Sequence, residues 1–114
     1  MKVDRVKGHL DLLLLGILNH TPGHGYSVIT TMRERSGGAL DLTEGSVYPA
    51  LHRLEDLGLL SSHWQLVGGR RRRVYEITRS GASALVAERK DWTALVASIE
   101  AVLSPRTELA GGAA

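Results

Sequence analysis

The stretch TEGSVYPALHRLEDLGLLSSHWQLVGGRRRRVYEIT, residues 43–78, decides the fold because its apolar spacing changes halfway along. Apolar residues first recur every three or four positions, which predicts a helix with one buried face over residues 43–57. The Gly-Gly pair at 68–69 then separates two short runs typical of strands, which predicts a hairpin with strands 60–67 and 70–78. A helix followed directly by a β-hairpin is therefore the centre of the predicted fold.

The predicted hairpin has two unlike faces. With a two-residue turn, Val67 pairs with Arg70, and Trp64 pairs with Arg73. One face then carries a mainly apolar set with arginines near the tip: Leu60, Trp64, Leu66, Arg71, Arg73, Tyr75 and Ile77. The other face carries a mainly polar set: His63, Gln65, Arg70, Arg72 and Glu76. We expect the hairpin to pack at its apolar base and to reach into solvent at its cationic tip.

Two further helices are predicted before this stretch, over residues 8–20 and 25–35, again from apolar residues at helical spacing. In the first of them, Leu12 and Leu15 widen the apolar face, which indicates burial on more than one side. Three short helices, a hairpin and a long last helix are the order of a winged helix-turn-helix. The predicted fold class is mainly α with a small β-hairpin (α+β), a winged helix-turn-helix plus a long C-terminal dimerisation helix.

The last helix is predicted over residues 79–104, with Thr78 or Ser80 as its cap and a length of roughly 35–40 Å. Its apolar residues recur at heptad spacing: Leu85, Trp92, Leu95, Val96, Ile99, Val102 and Leu103. So long a stripe exceeds what this small domain can cover by itself. A second copy of the chain is expected to cover it, with Leu12 and Leu15 at the same interface.

The candidate nucleic-acid ligands lie on the outer face of the third helix and on the hairpin. The helix face opposite the apolar residues carries Ser46, Tyr48, Pro49, His52 and Arg53. The hairpin carries four consecutive arginines: Arg70, Arg71, Arg72 and Arg73. Phosphate is the natural partner of such a cationic run, although a merely solvated hairpin is the alternative. These residues predict a double-stranded DNA reader.

Charge and chain organisation agree with that prediction. Residues 1–81 carry 11 Lys and Arg against 8 Asp and Glu, whereas residues 82–114 carry 3 against 4. A basic front half joined to a near-neutral remainder is typical of a nucleic-acid reader with an assembly element. We expect a DNA-binding domain over residues 1–78, a dimerisation helix over 79–104 and a disordered tail over 105–114.

Composition and spacing argue against other classes of protein. The chain has no cysteine, which excludes disulfides and thiolate metal sites. His20 and His24 are four positions apart, but Pro22 and Gly23 lie between them, so they do not share a helix face. No catalytic residue, metal ligand or cofactor is assigned. The leucine-rich run at 12–18 is too short for a membrane span and lacks a cleavage site, so a cytoplasmic protein without membrane contact is expected.

Several segments match the motifs of one family. They are Lys7-Gly8-His9-Leu10-Asp11-Leu12-Leu13, His24-Gly25-Tyr26, Glu44-Gly45-Ser46-Val47-Tyr48-Pro49-Ala50-Leu51-His52-Arg53-Leu54-Glu55, Gly58-Leu59-Leu60, Gly68-Gly69-Arg70-Arg71, Tyr75 and Thr78-Arg79-Ser80-Gly81. The sequence resembles, over about residues 7–103, the PadR family of bacterial transcriptional regulators. Its length and single C-terminal helix are similar to the shorter subgroup of that family.

The resemblance implies a homodimeric repressor of a nearby gene, bound to a palindromic operator. It also implies that the C-terminal helix crosses to pack on the partner's first helix. In family members that bind flat aromatic drugs, a tryptophan at the place of Trp92 lines a pocket at the dimer interface. Trp92 is therefore either a packing anchor or a contact for a small aromatic or hydrophobic effector. The alternative function is a winged-helix protein-docking module without specific DNA binding, in which the hairpin arginines are dispensable.

Overall fold

The structure is a computed structural model that describes residues 6–105. The predicted tail lies outside the described residues apart from Pro105, as do residues 1–5. The elements are a 3-10 turn at Lys7–His9, helices α1 (Leu10–Leu18), α2 (Gly25–Arg35) and α3 (Glu44–Asp56), strands β1 (Leu60–Val67) and β2 (Arg70–Ile77), and helix α4 (Arg79–Leu103). This order confirms the predicted fold class.

The first helix is shorter than the sequence predicts. Residues 8–20 were expected to be helical throughout, but the α-helix itself spans Leu10–Leu18. A tighter 3-10 turn precedes it, and the chain leaves the helix after Asn19, whose N–H still donates to the carbonyl of Leu15 at 2.9 Å. Pro22 and Gly23 follow within a few residues, and neither favours a continued helix. Bounds of this kind shift by a residue or two because helix ends fray.

One aliphatic core holds the three short helices and the base of the hairpin together. Its most deeply buried members are Leu14, Leu15, Val28, Val47, Leu51, Leu54, Leu60 and Tyr75. Full burial of such a side chain stabilises the fold by roughly 1.5–3 kcal/mol. Tyr75, the only ring among them, comes from β2, so the hairpin base is part of the core.

The hairpin has the predicted register. Val67 pairs with Arg70 and Trp64 with Arg73, as a two-residue turn requires. Gly68 and Gly69 form that turn with φ values of 58° and 79°, the left-handed conformation that type I′ turns require and glycine adopts without strain.

A third chain segment joins the hairpin on its other edge. The N–H of Gly23 donates to the carbonyl of Tyr75 at 3.0 Å, and the N–H of Tyr75 donates to the carbonyl of Gly23 at 2.8 Å. This antiparallel bridge ties the loop between α1 and α2 to the C-terminal part of β2, at the base of the hairpin. The base of the hairpin is therefore held on both sides, while its tip extends beyond the core.

Helix α4 is capped and closely packed against the domain at its first turn. The Thr78 hydroxyl accepts a hydrogen bond from the N–H of Gly81 at 3.0 Å, which confirms Thr78 as the cap, and donates to the carbonyl of Gly58 at 2.7 Å. Gly81 is buried against the carbonyl of Leu59, and a Cβ there would overlap that oxygen. From Val86 to the end of the helix every residue is exposed. The start of α4 is therefore fixed by contacts with the carbonyls of Gly58 and Leu59, and farther along Leu85 and Trp92 lie beside α1.

Candidate nucleic-acid interface

The outer face of α3 has the predicted phase. Val47, Ala50, Leu51 and Leu54 are buried, whereas Pro49, His52 and Arg53 are exposed. Ser46 is half-buried, and its hydroxyl donates to the carbonyl of Thr43 at 3.1 Å. Pro49 lies inside the helix and has no N–H to donate there. The exposed part of the face is therefore the middle and last turn of α3.

Tyr48 is half-buried against α2 rather than fully exposed. Its ring lies so close to Gly25 that a Cβ at residue 25 would overlap the ring and approach the hydroxyl. Gly25 is the first residue of α2 and is itself buried. The position of the Tyr48 ring is therefore fixed by this close approach to Gly25, and His52 follows one turn later on α3.

Arg53 forms a bidentate ion pair with Asp11 of α1. Its Nη1 donates to Oδ2 of Asp11 at 2.9 Å, and its Nη2 donates to Oδ1 at 2.6 Å. The hydrogen bonds to Asp11 are the main reason why the pKa of Arg53 is raised above its usual value. The Arg53 side chain is still 51% exposed, so the ion pair leaves part of the guanidinium open to solvent.

The four hairpin arginines have different surroundings. Arg70 is exposed beside the turn. The guanidinium carbon of Arg71 lies 5.1 Å from the ring centre of Trp64, and that of Arg72 lies 5.9 Å from the ring centre of Tyr26. Both distances are within the range of cation–π attraction. The guanidinium groups of Arg71 and Arg72 thus lie close to aromatic rings, whereas Arg70 is exposed to solvent.

Arg73 is tied to α3 through a small polar network. Its Nε donates to the hydroxyl of Ser62 at 2.7 Å, and this hydroxyl donates to Oε2 of Glu55 at 2.7 Å. Its Nη2 lies 3.6 Å from Oε1 of Glu55. Of the four arginines predicted to contact phosphate, Arg73 is the one whose charge is already paired within the protein.

A cleft of about 340 Å³ separates the outer face of α3 from the hairpin. Its walls come from α2, α3 and both strands: His24, Gly25, Tyr48, His52, Trp64, Arg71, Arg72, Arg73 and Tyr75. The structure therefore brings the predicted reading helix and three of the four predicted hairpin arginines to one surface. Four predicted ligands lie outside the lining of this cleft: Ser46, Pro49, Arg53 and Arg70.

His24, at the edge of the cleft, caps α2. Its Nδ1 accepts a hydrogen bond from the N–H of Ser27 at 3.2 Å, which requires that this nitrogen is unprotonated. Partial burial, and then the nearby Arg72 guanidinium, lower the pKa of His24. The His24 ring also stacks with Tyr26 at 6.4 Å between centres.

Sequence reasoning missed the side chains that hold the predicted ligands in place. They are Asp11, Tyr26, Glu55, Ser62 and Trp64. Trp64 was recoverable, because the two-residue turn already puts it on one face with Arg71 and Arg73. Asp11 gave no local signal, since it lies 42 positions from Arg53 along the chain.

The residues predicted for a dimer interface fall into two groups. Exposed apolar side chains line α4: Trp92, Leu95, Val96, Ile99, Val102 and Leu103. Leu85 instead packs against the core of its own protomer. The prediction for Leu15 is wrong, because this side chain is 1% exposed inside the same core and has no surface left for a partner. Leu12 is half-buried and stays a predicted interface residue.

Trp92 lies where α4 passes α1. Its ring meets the ring of His9 edge-on, with 4.9 Å between centres. A neighbouring cavity of about 370 Å³ is lined by Leu12, Gly16, Asn19, His20, Leu85, Arg89, Trp92 and Thr93. Trp92 remains 42% exposed, so the protomer covers only part of this large side chain.

Between residues 6 and 105, no three His, Cys, Asp or Glu side chains are grouped as metal ligands. None of the helices described there is long and apolar enough to span a membrane.

Fold and site together define a winged helix-turn-helix of the DNA-binding type. Helix α3 is its reading helix, the hairpin of β1 and β2 is its wing, and a basic cleft lies between them. The profile of the transcriptional regulator PadR-like family matches residues 14–87. The chain belongs to this family and is a DNA-binding transcription regulator.

Individual relatives agree with this family assignment. The chain is 40% identical over 76 residues to the transcriptional regulator Rv3488 of Mycobacterium tuberculosis, which covers 67% of this chain and 71% of the relative. A PadR family transcription regulator from Clostridium difficile superposes with a TM-score of 0.74 at 28% identity. The match covers 84% of this chain and 99% of the C. difficile chain. A transcriptional regulator from Clostridium thermocellum shares the fold with a TM-score of 0.82 at 24% identity, over 89% of this chain and 99% of that one.

Proposed function

We propose that the protein is a homodimeric repressor that binds a palindromic operator in the cytoplasm. The observation that carries this proposal is the cleft between α3 and the hairpin, because side chains of both elements face it. An α-helix fits the major groove of B-DNA, which is about 12 Å wide. With α3 in that groove, the hairpin lies over the neighbouring backbone, where Arg70, Arg71 and Arg72 meet phosphates.

The exposed stripe of α4 supports the dimer. Five large apolar side chains between Leu95 and Leu103 are exposed in one protomer. Covering such a stripe with the same helix of a second copy gives two-fold symmetry. Two reading helices related in this way meet half-sites about 34 Å apart, which is one turn of DNA. A palindromic operator follows from that symmetry.

Repression and its relief are further parts of the proposal. A dimer that occupies an operator close to a promoter blocks transcription by occupancy alone, so no catalytic residue is assigned. Release by a small aromatic or hydrophobic effector at Trp92 stays a prediction. Trp92 forms one wall of the cavity of about 370 Å³ between α1 and α4, together with polar side chains such as Asn19 and Arg89.

The experiment that tests the proposal is a fluorescence anisotropy titration. The duplexes are the DNA directly upstream of the protein's own gene and a shuffled duplex of equal composition, each at two salt concentrations. We expect tight, salt-sensitive binding to the upstream duplex only. Equal weak binding to both duplexes would argue against an operator at this place. No binding to either at low salt would favour the protein-docking module.

A matched pair of variants connects the titration to the wing. Arg70→Gln with Arg71→Gln removes two charges from the hairpin, whereas Arg33→Gln with Arg35→Gln removes two from the far end of α2. The wing pair is expected to lower the slope of log K against log salt by about 0.9 for each lost phosphate contact. The α2 pair is expected to leave this slope unchanged.

A further inference from the structure

Asp11 holds Arg53 in one orientation on the outer face of α3. Both hydrogen bonds to Asp11 come from the two terminal nitrogens, Nη1 and Nη2. A guanidinium carries five N–H donors in a rigid plane, so this end-on pair occupies two and leaves three. The free donors include the Nε edge, which is the second edge that arginine uses for bidentate contacts. The side chain is 51% exposed, so part of the guanidinium is open to solvent beside the Asp11 pair.

The surroundings of Arg53 favour a base over a phosphate. Asp11 neutralises most of the charge that would attract a phosphate, but it does not reduce the directionality of the remaining donors. A guanine presents two acceptors, O6 and N7, in the major groove, and a bidentate arginine is their commonest specific partner. A guanidinium that is already fixed also loses less conformational entropy when it makes such a contact.

We infer that Asp11 is a positioning residue for DNA reading, which orients Arg53 so that its free edge hydrogen-bonds a guanine in each half-site. This inference rests on the proposed placement of α3 in the major groove. It makes the first turn of α1 part of the reading apparatus, although Asp11 itself contacts no base. A structural ion pair alone would predict effects on folding but none on base preference.

The test uses duplexes that the full-length wild-type protein selects from a randomised library. Arg53→Met is expected to weaken binding to the selected duplex about tenfold and to remove a guanine preference at one position of each half-site. Asp11→Asn is expected to weaken binding at least about threefold and to reduce the preference at the same position, with an unchanged salt slope. In the Arg53→Met background, Asp11→Asn is expected to have no further effect.

The control is a second Asp–Arg pair on the surface. Arg33 Nε donates to Oδ1 of Asp41 at 3.1 Å, at the end of α2 that lies away from the cleft. Asp41→Asn is expected to leave affinity and base preference as in the wild type. Circular dichroism at the titration temperature verifies that each variant is folded.

Three results would overturn the inference while the proposed function survives. Tighter binding by Asp11→Asn with a steeper salt slope would mean that Asp11 competes with a phosphate for Arg53. If Asp11→Asn lowered DNA affinity equally in the wild-type and the Arg53→Met backgrounds, Asp11 would act on DNA binding through the fold and not through Arg53. Wild-type binding by Arg53→Met would mean that Arg53 does not contact DNA. If the wild type selects no sequence at all, the proposed function itself fails.

Discussion

Arg73 of the wing lies 3.6 Å from the carboxylate of Glu55 on the reading helix, and Ser62 bridges the same two side chains. The Arg73 guanidinium also lies 5.6 Å from the ring centre of Trp64, which Arg71 approaches to 5.1 Å. A continuous series of contacts therefore runs from α3 to the outer part of the wing. The angle between α3 and the hairpin is therefore set by these side-chain contacts as well as by the backbone turn that connects α3 to β1.

The first prediction separates the arginines of the wing by function. Arg70→Gln is expected to lower the slope of log K against log salt by about 0.9, because an exposed guanidinium is free to neutralise one phosphate. Arg73→Gln is expected to change this slope much less, since Glu55 already pairs its charge. Anisotropy titrations at four salt concentrations give both slopes. Equal decreases in the two variants would show that Arg73 leaves Glu55 when DNA binds.

A second prediction concerns the contact between Gly25 and Tyr48. Gly25→Ala is expected to destabilise the fold by about 1–3 kcal/mol, because the new methyl group overlaps the Tyr48 ring. In the Tyr48→Ala background the same change is expected to cost far less, since the ring is gone. Urea unfolding of the four proteins measures the coupling. A cost that is independent of residue 48 would place the clash elsewhere.

Much of the fold was predictable because local patterns determine it. The Gly-Gly turn gave the hairpin register, and the apolar spacing of α3 gave its buried and outer faces. The bounds of α2 agree for the same reason. In these segments the local conformational preferences and the helical period agree with the tertiary structure. Because they agree, the sequence alone predicts the structure there.

The site was less predictable, since its precise geometry comes from long-range pairs. Neither Asp11 nor Glu55 shows any sign of its arginine partner in the sequence around it. Leu15 shows a related limit, because helical spacing identifies an apolar face but not whether the protomer's own core or a partner covers it. Burial of Leu15 needed the position of α3 and the hairpin, which no local pattern contains.

The third prediction tests the α4 interface. Leu95→Glu is expected to convert a dimer to a monomer in sedimentation equilibrium, because a charge would be buried at the centre of the stripe. Leu95 is 41% exposed in the protomer, so helix content by circular dichroism is expected to be unchanged. DNA affinity should fall with the dimer, as two linked half-site contacts become one.

The control for that prediction lies on the same helix. Ala97 is exposed and lies on the side of α4 opposite Leu95 and Ile99. Ala97→Glu is expected to keep the wild-type mass and DNA affinity. If Leu95→Glu also kept the wild-type mass, the stripe would not be the dimer interface, whatever the variants did to DNA binding.

The last prediction is a pH dependence of stability that comes from the cap of α2. The folded-state pKa of His24 is lowered from 6.5, first by burial and then by Arg72. The folded protein therefore binds fewer protons at His24 than the unfolded chain does. Its contribution to stability is complete above the unfolded-state pKa and is lost as the pH falls through the folded-state value. Protonated Nδ1 can no longer accept the Ser27 N–H, which gives the structural reason.

Two substitutions at residue 24 measure this contribution. His24→Ala lacks a cap at every pH, so at pH 7.5 it is expected to be less stable than the wild type by about 1 kcal/mol. This difference should shrink as the pH falls from 7.5 to 5, because protonation of His24 favours the unfolded wild-type chain. His24→Asn caps the helix without titrating, and its stability relative to the wild type should rise as the pH falls. Urea unfolding at the two pH values gives these differences, in which the contributions of all other titrating groups cancel. A gap between wild type and His24→Ala that stays constant from pH 7.5 to 5 would show that the protonation state of His24 does not control the cap.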